Sequence, residues 1–293
     1  MLTRSLIALA LLCAFTARAS EPAPIVPGFA PLAVTTTAEL SATSEAPLAP
    51  VLPPRSNEAM EFQVSYLGMS MGKFRLFAGT VDSTIAPVFL QAQTTSIFAI
   101  VTLRQQLSSY LDVHTGLPRS GQLDAVEGSY RHTDTVSFDR LANKAKVREK
   151  GKYDNTYLID VPPDATDFIA LVYRLRTLPL EDGARYAFNV LAGRAQNKVV
   201  AAVLGRERVE TRAGTFQAVK VRVPTGFTGK FSEKNPTFIW FSDDDRRVVV
   251  RITADFAIGN ATANLVTYAP GTAVAPVPTV AGEAALPTAV ATP

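Results

Sequence analysis

The chain has 293 residues, 47% of them hydrophobic and 19% charged, with a formal net charge of +3. That is enough apolar material for a sizeable core, and too little excess charge, with no clustering of basic and aromatic side chains, for a nucleic-acid platform. A single cysteine and two histidines exclude a disulfide framework and offer little to a metal site.

In chain order, Arg4 supplies a positive start, Leu6 through Phe15 an apolar run, and Ala17-Arg18-Ala19 a small-x-small cleavage pattern. This is the layout of a secretory signal peptide, residues 1–19, cut after Ala19. The run falls short of the ~20 residues of a membrane span, and no polar stop-transfer flank favours an uncleaved anchor. Cys13 lies inside the run with Leu12 before it, which argues against a lipoprotein signal and leaves the mature chain without cysteine. Residues 20–57 hold eight prolines among Ala, Thr and Ser, and residues 270–293 hold five more. Both are expected to be disordered, as a linker and a tail. The mature protein is expected in the periplasm or secreted.

Residues 58–269 form one domain. Period-two alternation starts with Met60, Phe62, Val64 and Tyr66 on one face and Glu61, Gln63 and Ser65 on the other. A turn over Gly68–Gly72 leads to a strand at 73–81. Further strands are expected at 88–95, 105–113, 119–126, 128–138, 144–150 and 154–161. After one helix come strands at 185–191, 197–211, 215–223, 237–242, 246–256 and 260–268, with Gly, Asn and Asp at most breaks. The helix follows Pro162-Pro163, with Asp164 as N-cap, a stripe of Phe168, Leu171, Val172 and Leu175, and Arg174 and Arg176 at its C-terminal end. A second short helix over Ser96–Leu103 is the weaker expectation, because β-branched residues disfavour it. The fold class is therefore mainly β: a single large curved antiparallel sheet or barrel-like shell with one or two helices packed against it.

Several stretches, in this order, resemble bacterial envelope proteins of the family named domain of unknown function 3108. They are Phe62-Gln63-Val64-Ser65-Tyr66-Leu67-Gly68, then Tyr173-Arg174-Leu175-Arg176 with Pro179-Leu180. There follow Gly205 through Glu207, Val209 and Thr211 to Ala213-Gly214-Thr215-Phe216-Gln217-Ala218, and Ile239-Trp240-Phe241-Ser242-Asp243 before Val250-Arg251-Ile252. The resemblance covers most of residues 58–269 and implies location and fold rather than chemistry. Such shells are similar to the half-barrels of periplasmic lipid and lipoprotein carriers.

No catalytic, cofactor-binding or metal constellation emerges. His114 and His132 read as solvated loop residues. Ser70-Met71-Gly72-Lys73 spells S-x-x-K in a turn, without the helix or partner motifs that serine acyl-enzymes need. Asp243-Asp244-Asp245 lacks the pattern of a calcium loop and reads as a tight turn. The alternating cations Lys144, Lys146, Arg148, Lys150 and Lys152 form a stripe that could dock an anionic surface, although a solvated outer face is the favoured reading.

The leading expectation is non-enzymatic binding of a hydrophobic or lipid-like molecule inside the shell. Phe168, Leu171, Val172 and Leu175 would form a lid and Trp240, otherwise a core residue, a cavity wall. The alternative is a structural or assembly factor of the envelope acting on protein partners. A carboxylate enzyme acting on an envelope polymer is a third reading, without a signature. A large apolar cavity would favour the carrier and a filled interior the assembly factor.

Overall fold

A computed structural model describes residues 53–94, 103–151, 153–224, 236–255 and 260–274. The expected signal peptide, nearly all of the expected linker and most of the expected tail lie outside these residues, as do Lys152 and the expected second helix up to residue 102.

The strands are β1 (Ala59–Tyr66), β2 (Met69–Ala78), β3 (Ile85–Thr94), β4 (Leu103–Asp112), β5 (Pro118–Glu127), β6 (Tyr130–Asp139), β7 (Lys144–Lys150) and β8 (Asp154–Asp160). The helix α1 (Phe168–Leu175) follows, then β9 (Arg185–Ala192), β10 (Ala195–Thr211), β11 (Gly214–Val223), β12 (Thr237–Ser242), β13 (Val249–Asp255) and β14 (Asn260–Ala269). All belong to one antiparallel sheet in the order β8-β7-β6-β5-β4-β3-β2-β1-β14-β13-β12-β11-β10-β9. Two meanders thus meet where β14 returns beside β1, and α1 links their far edges.

The expected alternation is realised: Met60, Phe62, Phe74, Leu76, Leu107 and Leu123 are buried, while Glu61, Lys73, Arg75 and Gln106 are exposed. The first turn is tighter than expected. Leu67 (φ 49°) and Gly68 (φ 79°) form a two-residue connection with both φ positive, so β2 begins at Met69. The seventeen-residue β10 pairs with β9 through its first half and β11 through its second, bending at a bulge before Gly205 (φ 141°).

The sheet curls but does not close. The segment after β8 lies in the seam, where Thr166 N–H donates to the Asn189 carbonyl and Leu191 N–H to the Thr166 carbonyl. Gln196 donates its amide to the Asp160 carbonyl across the same gap. The helix fills one end of the shell, with Ile169, Ala170, Leu171 and Leu175 at most 1% exposed in a cluster shared by both meanders. Its N-cap is Asp167, not Asp164: one carboxylate oxygen accepts from Ala170 N–H at 2.8 Å and the other from the Ser109 hydroxyl at 2.6 Å. Asp164 instead accepts both bonds from the Asn189 amide.

Three arginines pin this end. Arg140 donates to the carbonyls of Pro118, Pro163 and Ala165, and Arg174 to that of Thr115. Burial pushes both guanidinium groups down to about 10. Arg176 pairs with the fully buried Glu58, and Tyr268 also donates to that carboxylate.

Candidate functional site

The largest described cavity, about 660 Å³, runs across β1 to β6. Strand register builds it in three rows. Gln63, Lys73, Gln93, Arg104, Val126 and Arg131 face one another across successive strands, as do Glu61, Arg75, Gln91, Gln106, Asp124 and Thr133. Between them run the inward-facing Phe62, Phe74, Ala92, Gln105, Ala125 and His132. All three rows line the cavity, but neither of the next inward rows does, including Leu76, Leu107 and Leu123. The space is therefore a groove on the outer face, walled by two rows of mostly polar side chains and floored by the backbone between them. At about 4.8 Å per strand it is about 24 Å long.

Four cations, Lys73, Arg75, Arg104 and Arg131, stand against two carboxylates in this groove. Both carboxylates are engaged. Glu61 pairs with Arg75 at 3.7 Å, and Asp124 accepts from Thr133 and Gln122 at 2.7 and 2.6 Å. Gln91 donates to Gln106 at 2.9 Å, while Gln63 bonds the Ser70 hydroxyl and the Gly72 carbonyl. For Lys73, Gln93, Arg104 and Arg131 there is no partner among the described residues.

On the inward side the described residues beside the helix are closely packed. The interior space described beside the helix, between Leu107, Leu123, Val136, Asp167 and Ile169, is about 40 Å³. Leu171, Val172 and Leu175 are buried in the core cluster and Phe168 packs against it. Trp240 lines none of the described cavities. It lies opposite Lys220 and Arg251 in the sheet, with their charges 4.9 and 5.9 Å from its ring, and its indole N–H donates to Glu207.

His132 is no solvated loop residue: it sits in β6, stacked on Tyr130 at 5.3 Å, with Nδ1 buried and without a partner. Gln105 Oε1, across Ala125 from it, is likewise unpaired. Burial pushes the nearby Asp134 carboxyl up, opposed by His132 and reinforced by Glu149. His114 occupies the β4–β5 turn, where its N–H donates to Asp112. Ser70 and Lys73 lie on strand β2, not on a helix, and Asp243–Asp245 fall in the β12–β13 turn.

The cationic stripe lies along β7, and β8 answers part of it. Lys144 pairs with Asp160 at 2.5 Å and Arg148 with Asp154 through two hydrogen bonds, 3.0 and 2.7 Å. Lys146 and Lys150 remain exposed. The groove residues went unrecognised in the sequence, because a row across six strands is spelled by positions scattered from Glu61 to Thr133. Their one local mark is a polar side chain at alternate places in each strand.

Residues 61–266 match the model of a protein family of unknown function, DUF3108. The chain belongs to that family. The DUF3108 domain is similar in fold to a β-barrel-like protein of another domain of unknown function, DUF1849, from Brucella abortus. That likeness has a TM-score of 0.52 and 9% identity, and covers 74% of this chain and 98% of the other. A protein of Bacteroides fragilis described as exported, with a YmcC-like fold, aligns at 10% identity and a TM-score of 0.33, covering 76% and 100% of the two chains. A protein of Parabacteroides distasonis described as a lipoprotein aligns at 11% and 0.33, covering 75% and 99%. A search of curated proteins gave no match.

Proposed function

We propose that this DUF3108 domain is an exported, non-enzymatic protein of the cell envelope that acts through its outer surface, as a structural or assembly component. A carrier would instead seal a lipid in its interior. The observation that carries the reading is the close packing of α1 among the described residues of the core. Sites for small molecules occupy about 300–1,000 Å³, and the interior space described beside α1 is about 40 Å³. Export is supported by the Arg4, Leu6–Phe15 and Ala17-Arg18-Ala19 pattern.

The groove does not suit a carboxylate enzyme. Glu61 and Asp124 stand four strand spacings apart, about 19 Å, against roughly 5–10 Å between paired catalytic carboxylates.

The test is native mass spectrometry of the mature protein, purified gently from its own envelope, with organic extraction of whatever accompanies it. A clean mass and no uptake of fluorescent fatty acids are expected. Reproducible recovery of one lipid mass would overturn the reading and restore the carrier.

A further inference from the structure

We propose that the groove across β1–β6 binds an acidic glycan, with Lys73, Arg104 and Arg131 receiving its carboxylate or phosphate groups; this rests on the reading that the domain works through its outer face.

The charges come first. Lys73, Arg104 and Arg131 lie in one row on β2, β4 and β6, two strands apart, so their backbones are spaced at about 10 Å. None has an ion pair among the described residues. Elsewhere on the sheet Lys144, Arg148 and Arg206 face acids, while Lys146 and Lys150 on β7 have no ion pair among the described residues. A row of unanswered like charges is stabilised by an anion that spans it. On the opposite wall Glu61 is paired with Arg75 and Asp124 is held only by the neutral Thr133 and Gln122, so the groove sets four cations against two carboxylates and stays net positive. Three anionic sites at even intervals suit a polymer with a charged group on every second unit.

The amides come second. Gln63, Gln91, Gln93 and Gln106 project from the two walls, and Gln93 beside Arg104 has no partner among the described residues. An amide offers donors and an acceptor together, which matches the hydroxyls of a sugar. A peptide fits less well. The groove crosses strands whose backbone groups are already spent in the ladder, so there is no edge for main-chain pairing. Its walls offer only Val126 and Val266 as apolar anchors.

The experiment is calorimetric titration of the mature full-length protein with a hyaluronan hexamer, which carries a carboxylate on every second sugar. Dextran, a poly-glutamate peptide and phosphatidylglycerol vesicles serve as comparisons. The hexamer is expected to bind, with affinity falling about tenfold in the variant K73E/R104E/R131E and falling again as added salt screens exposed charges. The control variant K146E/K150E on β7 should bind like wild type, and circular dichroism establishes that each variant is folded. No heat with the hexamer, equal binding by the charge-reversed variant, or dextran binding as tightly would overturn the proposal. Preference for the peptide or for vesicles would overturn it too, in favour of an acidic protein or a membrane surface. A lipid recovered by extraction would instead sink the surface-acting reading, whatever the hexamer does, so the two failures are distinct.

Discussion

Arg176 donates to both carboxylate oxygens of Glu58, at 2.6 and 2.7 Å, across 118 residues of chain. It also donates to the carbonyls of Arg246 and Arg247, so one guanidinium ties the lead into β1, the end of α1 and the β12–β13 turn together. Neither side chain of the pair is more than 7% exposed. Removing one partner leaves the other charge buried, so Glu58→Ala should cost about 3–5 kcal/mol. The double change Glu58→Met, Arg176→Met should recover much of that. Urea unfolding of the two variants decides it, and a double variant worse than the single one counts against the pair as drawn.

At the other end of the helix, burial pushes the Asp167 carboxyl up despite its bonds from Ala170, Ser109 and Ile169. A raised folded-state value means that folding favours the protonated form. Its contribution is complete below the ordinary value of 3.8 and is lost as pH rises through the folded-state value. Asp167→Asn keeps an acceptor for Ala170 and carries no charge. It should therefore gain on the wild type at pH 7 and not in acid. Asp167→Ala should lose about 1 kcal/mol or more at either pH. Melting curves at about pH 4 and 7 compare them.

Leu171 is fully buried between the two meanders. If α1 fills the shell, Leu171→Ala leaves a void and should cost about 2–5 kcal/mol. A loss under about 1 kcal/mol would mean a loosely seated helix, as a carrier's lid requires.

With Lys144 and Arg148 already paired to Asp160 and Asp154, the β7 stripe is a partly neutralised outer face. Reversing Lys146 and Lys150 together should leave sedimentation with anionic vesicles unchanged. A clear drop in the bound fraction would make the stripe a docking surface after all.

Much of the architecture was legible because burial follows strand parity in most strands, β1 to β5 among them, although β6 and β12 do not alternate. The errors arose where tertiary contacts override local rules. Leu67 adopts a positive φ that favours Asn or Gly. Asp164 and Asp167 are equally good caps in sequence, and only Ser109, fifty-eight residues away, selects between them. The helical stripe was visible, but Ile169, Ala170, Tyr173 and Arg174 are buried too, because the helix is enclosed rather than laid on a surface. The Glu58–Arg176 pair leaves no local trace and the groove only alternate polar side chains within each strand, since both depend on register between distant segments.

Ser56 and Thr272 exchange backbone hydrogen bonds at 2.8 Å, and Arg55 grips the carbonyls of Pro270 and Gly271 beside them. The chain therefore enters and leaves the domain at one point, at the same end of the antiparallel pair β1–β14. Tension between the two flanking segments would peel that pair open one bond at a time, the geometry of a zipper. A load carried from one segment to something held on the β1–β6 face would cross the ladder sideways and meet many bonds at once. The same shell is thus compliant along one axis and stiff along another, which gives it a preferred direction in which to bear force.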